Sequence, residues 1–178
     1  MKNKKAKKNS AKKAKPTHSD NEKLLRKQLI ELLAWDGAHA NWEAALKDFP
    51  ADKRGVRPQG SPHSAWDLLE HTRLAQNDIL DFCVNTKYKA KNWPEDYWPK
   101  TPAPPDAAAW EKTVRDFEKE TRAMAKLVED PKNDLYRKIG HGSGQTLLRE
   151  ALLTADHNAY HLGQFMLVRR MLGAWNEK

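Results

Sequence analysis

Cysteine is nearly missing from this chain: Cys83 is the only one in 178 residues, which excludes an internal disulfide and fits a reducing, cytoplasmic compartment. It lies among Ile79, Leu80, Phe82 and Val84, the surroundings of a buried structural thiol rather than of a nucleophile. Long apolar runs are missing too, and with a mean hydropathy of −0.91 no membrane span is expected. No internal repeat and no convincing polar–apolar alternation can be found, so strands are not expected. Acidic residues are absent from residues 1–15, which hold eight lysines. Residues 16–178 carry equal numbers of basic and acidic side chains, so the formal net charge of +8 belongs to that leading stretch. The stretch has no apolar run and is therefore not expected to be a secretory signal or an anchor. As a disordered arm it would touch nucleic acid or acidic membrane non-specifically, and its simplest role is to solubilise. A neutral remainder without a basic recognition helix argues against specific nucleic-acid binding.

What is present is helical periodicity. Residues 1–19 are expected to form a disordered lysine-rich tail and residues 20–178 a single domain, long enough to bury a core. Leu25, Leu29, Leu32, Trp35, His39, Trp42 and Leu46 recur at three–four spacing, which predicts a first helix from about Asp20 to Lys47, ended by Pro50. Residues 48–63 read as a loop. Ser64, with Asp67 three residues on, resembles a capping box for a second helix over about Ala65 to Val84. Residues 85–105 contain Tyr88, Trp93, Pro94, Tyr97, Trp98 and Pro99, then further prolines at 102, 104 and 105. Neither helix nor strand survives there, and the aromatics imply that the segment packs down. Asp106 can cap a third helix over about Ala107 to Glu129, with a stripe of Trp110, Val114, Phe117, Thr121, Met124 and Val128. Thr146 can cap a fourth that runs to about Leu172, with Gly173 in the left-handed position beyond it. The expected fold is all-α: a four-helix bundle with a long crossover loop between its second and third helices.

Within the last helix, His157 and His161 are four residues apart and stand one above the other on a single face. Two stacked imidazoles can grip a metal ion, but two donors hold a divalent metal poorly. That face also carries Leu153, Thr154, Gln164 and Val168, with Glu150 two turns before His157, so it is not a solvated face. His71 falls on the inner stripe of the second helix, between Leu68 and Ala75. Alone, it reads more simply as a satisfied core histidine; beside the pair it becomes the candidate third ligand. His18 belongs to the polar leader, while His63 and His141 read as capping or surface histidines. His39, on the expected inner stripe of the first helix, is a candidate neighbour of the metal or of a substrate.

The context Trp66-Asp67-Leu68-Leu69-Glu70-His71, followed far downstream by His157-x-x-x-His161-x-Gly163-Gln164, resembles the DinB/YfiT-like superfamily, over about residues 20–175. The resemblance implies a four-helix-bundle metalloprotein whose three-histidine triad takes His71 from the second helix and His157 and His161 from the fourth. It also implies a metal-dependent enzyme, hydrolase-like or transferring a low-molecular-weight thiol to an electrophile, with a small-molecule substrate and a homodimeric assembly. A non-catalytic, metal-stabilised bundle or a stress-related binding protein is the alternative. Three neutral imidazoles leave a divalent ion with its full charge and an open position; zinc, nickel and ferrous iron all accept this donor set. Each ligand should donate its second N–H to an acceptor, for which Asp67 and Glu150 are candidates; Gln164 is a further candidate neighbour of the ligands or of a substrate. Tyr97 and Trp98 are candidates for a wall or lid over the open position.

Overall fold

A computed structural model of the chain describes residues 18–34 and 37–175; the lysine-rich stretch, Trp35 and Asp36 lie outside the described residues. The chain is all-helical: α1 (His18–Leu33), α2 (Trp42–Leu46), a short 3-10 turn (Ala51–Lys53), α3 (Ala65–Val84), α4 (Ala107–Glu129) and α5 (Leu147–Met171). No strand occurs among the described residues, only an isolated bridge between Lys138 and Thr146. α3 packs against both α5 and α4, and α1 closes the other side against α4 and α5.

Local signals set most of these boundaries. Ser64 Oγ accepts from Asp67 N at 3.1 Å and Asp67 Oδ2 accepts from Ser64 N at 2.9 Å, a complete capping box at the start of α3. Asp106 caps α4 by accepting from Ala109 N at 2.7 Å, and Thr146 caps α5 by accepting from Arg149 N at 3.2 Å. Gly173 follows α5 at φ +61°, a conformation glycine takes without a Cβ penalty.

The single helix expected from Asp20 to Lys47 is not there. α1 ends at Leu33, and α2 starts afresh behind an N-cap, Asn41, whose extended backbone (φ −88°, ψ 175°) cannot continue a helix. Its side chain accepts from Ala44 N at 2.9 Å. Gly37 costs a helix interior about 1 kcal/mol relative to alanine, and asparagine is far better placed as a cap than mid-helix. The stripe is also rotated: Leu29 and Leu33 are buried while Leu32 is exposed. Arg26 accounts for that rotation. Its buried guanidinium donates to Val128 O at 2.6 Å, Asp130 O at 3.2 Å and Asn133 O at 2.7 Å, carbonyls of the last turn of α4 and of the turn that follows it.

The connection from α3 to α4 is irregular, as expected, and it is held down. Tyr97 Oη donates to Asp78 Oδ2 at 2.7 Å, and Tyr88 Oη donates to the same carboxylate at 3.2 Å. Trp66 Nε1 donates to Thr101 O at 3.2 Å. Gly55 lies directly beneath it, where a Cβ would fall 2.3 Å from Ala103 Cβ. The segment is therefore strapped across the end of α3 that carries His71.

Candidate metal centre

α3 and α5 together present three histidines at one point. His71, His157 and His161 each offer a ring nitrogen, and these atoms all lie within 4.8 Å of one another. Ring centroids are 4.5 Å apart for His157–His161, 4.6 Å for His71–His161 and 5.2 Å for His71–His157. The stacked pair comes from the four-residue spacing on α5, and the third ring comes from the packing of α3 against that face. Among the described residues the group stops at three, with no fourth histidine, cysteine or carboxylate.

Two of the rings have their tautomer set. His71, 2% exposed, places Nδ1 2.7 Å from Tyr97 O; a carbonyl only accepts, so Nδ1 carries the proton. His161, 7% exposed, places Nδ1 2.7 Å from Gln164 Oε1, one turn further along α5. Both therefore keep the Nε2 lone pair free. Trp98 stacks on His71 at 4.0 Å and 9°, and on His63 at 4.3 Å and 15°, which fixes the plane of the His71 ring.

Burial lowers the pKa of all three histidines, because an imidazolium loses hydration there. For His157 and His161 the value falls to about 4, with the neighbouring triad rings adding to the effect of burial. The rings are thus neutral at physiological pH, and their lone pairs are available without loss of a proton. Three convergent neutral imidazoles, two with Nδ1 already engaged, fit a divalent metal and suit zinc, nickel or ferrous iron.

The remaining candidates are placed unevenly. Gln164 reaches His161 through its side chain. Tyr97 serves His71 with its backbone carbonyl while its hydroxyl binds Asp78, and Trp98 is the stacking wall. Asp67 is engaged elsewhere: its Oδ2 closes the capping box and accepts from Arg57 Nε at 2.9 Å. Glu150 is 2% exposed, and its Oε1 accepts from Arg149 Nη1 at 2.7 Å. His39 is exposed in the break between α1 and α2, with Nδ1 2.9 Å from Ala40 O, because the helix meant to carry it inward does not form. It lines a cavity of about 590 Å³ with Phe117 and Asn158 instead.

Three neighbours of the site escape a sequence reading. His63 is drawn in through Trp98 rather than left at the surface. Trp93, 69% exposed, meets His71 edge-on at 6.4 Å, and Tyr160, 64% exposed, meets His161 edge-on at 4.9 Å. Tyr160 lies one residue before His161, a signal that adjacency alone could have raised; nothing local marks Trp93 or His63.

A family model described as the DinB superfamily matches residues 34–165. No curated protein and no solved structure matches the chain.

Proposed function

The chain belongs to the DinB superfamily, and we propose that it is a metal-dependent enzyme acting on a small molecule, with His71, His157 and His161 as the ligands of one divalent ion. The observation that carries this reading is the convergence of three imidazole nitrogens within 4.8 Å, on rings that burial keeps neutral. A divalent ion held there supplies a Lewis acid, able to lower the pKa of a bound water or to hold a substrate thiol deprotonated. The two reaction classes that suit it are hydrolysis and transfer of a low-molecular-weight thiol to an electrophile.

The protein's own groups do the rest. Tyr97 O and Gln164 Oε1 engage Nδ1 of the His71 and His161 rings and leave their Nε2 lone pairs free. Trp98 excludes water from one face of His71. The exposed rings of Trp93 and Tyr160, each beside a different ligand, offer apolar surface at the approach to the site. Among the described residues the group stops at three protein donors, which favours an enzyme over a structural metal, usually closed by a fourth. No described helix is long and apolar enough to cross a membrane. The proposal includes a reducing, cytoplasmic location, with Cys83 a free thiol, and a homodimer of residues 20–178 with residues 1–19 as an accessory arm.

The test is metal analysis of natively purified protein, followed by a screen of thiols with electrophiles and of small hydrolysable esters and amides. About one divalent ion per chain is expected, with turnover that chelation abolishes and readdition restores. Protein that carries its ion and melts lower without it, yet turns over nothing in either screen, would support the non-catalytic alternative. Protein with no affinity for zinc, nickel or ferrous iron would sink both.

A further inference from the structure

Two of the three ligand rings have an acceptor for Nδ1; the third does not. His157 Nδ1 is buried without a hydrogen-bond partner, and so is Oδ1 of the next residue, Asn158. A buried polar atom left unpaired carries the full cost of its desolvation. Here a ring nitrogen and an amide oxygen, complementary in kind when the nitrogen carries its proton, are stranded on consecutive residues. The Asn158 side chain lies close enough to His157 to oppose the lowering of its pKa by burial, although neither atom has a hydrogen-bond partner.

The orientation of the Asn158 amide is dictated from outside the site. Phe117 O, a carbonyl, can only accept, so the Gln76 group 2.8 Å from it is Nε2. Gln76 Oε1 then faces Asn158 and accepts from its Nδ2 at 2.7 Å, while also accepting from Thr121 Oγ1 at 2.9 Å. With Nδ2 turned to Gln76, Oδ1 is the end of the amide that has no partner. A chain of buried amides therefore runs from α4 through α3 to α5 and ends beside the ligand that lacks an acceptor.

We infer that Asn158 is the positioning residue of His157, its Oδ1 accepting the Nδ1 proton when a metal ion takes Nε2. The inference rests on the triad reading above. It completes the set in which Tyr97 O and Gln164 Oε1 serve the other two rings, and acceptors of this kind are worth roughly 10- to 100-fold in metal affinity.

The experiment is a zinc titration of the full chain against a chromophoric chelator, with Asn158→Ala and Asn158→Asp. Both variants lose the Nδ2–Gln76 bond, but only the aspartate keeps an acceptor at Oδ1. Asn158→Ala is expected to bind zinc roughly 10- to 100-fold more weakly, and Asn158→Asp at or above the wild-type affinity. Equal weakening of both would assign Asn158 a packing role only, and no weakening in the alanine variant would overturn the inference outright. Long-range ¹H–¹⁵N spectra of the zinc-loaded wild type decide the matter even if the variants do not fold. His157 is expected to carry its proton on Nδ1 and zinc on Nε2, and the reverse assignment excludes Asn158 as its acceptor. A wild type that takes up no zinc fails the triad reading itself, whereas one that binds zinc with Nδ1 as the ligand fails only this inference.

Discussion

Proton competition offers the sharpest test of how buried the triad is. A metal ion binds the neutral imidazole, so its apparent affinity falls by the factor 1 + 10^(pKa − pH) for each ligand. Three histidines with the ordinary pKa of about 6.5 would each lose about tenfold between pH 7.5 and 5.5, roughly a thousandfold together. His157 and His161 stand at about 4; at pH 5.5 such a group is only about 3% protonated, and its loss is negligible. His71 is lowered as well, so its loss is smaller than that of an ordinary histidine. Zinc affinity of the folded protein is therefore expected to fall by less than about tenfold over this range. Competition against a chelator, corrected for the chelator's own protonation, measures the fall directly. A loss approaching a thousandfold would mean that the histidines titrate as hydrated groups and that the site is open to water. The same shifts set the sign for folding without metal. The unfolded chain binds protons at His157 and His161 below about pH 6.5 while the folded chain does not until about pH 4. Their contribution to stability is intact above that window and declines as the pH falls through it.

Other perturbations separate the parts of the site. His161→Ala is expected to leave the purified protein without its ion; full retention of metal by that variant would remove His161 from the ligand set. Tyr97→Phe removes the anchor to Asp78 beneath the carbonyl that serves His71, and is expected to cost about 1–2 kcal/mol and to weaken zinc binding about tenfold. Tyr88→Phe, which touches the same carboxylate but offers nothing to His71, should lower the melting temperature without moving zinc affinity. Arg26→Met strands the Val128 and Asn133 carbonyls and is expected to destabilise by about 3 kcal/mol, roughly 6–12 °C in melting temperature, with zinc affinity unchanged. Deleting residues 1–15 should abolish any salt-dependent binding to DNA, and undiminished affinity would place that binding on the folded part.

What could be read along the chain is what is decided locally. The starts of α3, α4 and α5 follow from Ser64, Asp106 and Thr146, each acting within three residues of itself. The break after α1 is harder to read, because successive residues of the stripe from Leu25 to Leu46 keep three–four spacing whether or not the helix continues. Gly37 and Asn41 carry the signal, against that spacing. Asp67 shows a different limit: it stands one turn before His71, yet a backbone amide three residues back and Arg57 claim its carboxylate. The acceptor that His71 does find is a main-chain carbonyl, 26 residues away on a proline-rich strap, and every residue type has one. No reading of side chains can single out such a group. Asn158 is hidden for a related reason. Its side chain type is visible next to His157, but an asparagine can present either end of its amide, and only the Phe117 carbonyl on another helix, acting through Gln76, decides which. His157 and His161 are legible because they repeat on one helical face, and Gln164 because it lies one turn away on the same helix; supports on other elements are not, because tertiary packing chooses them.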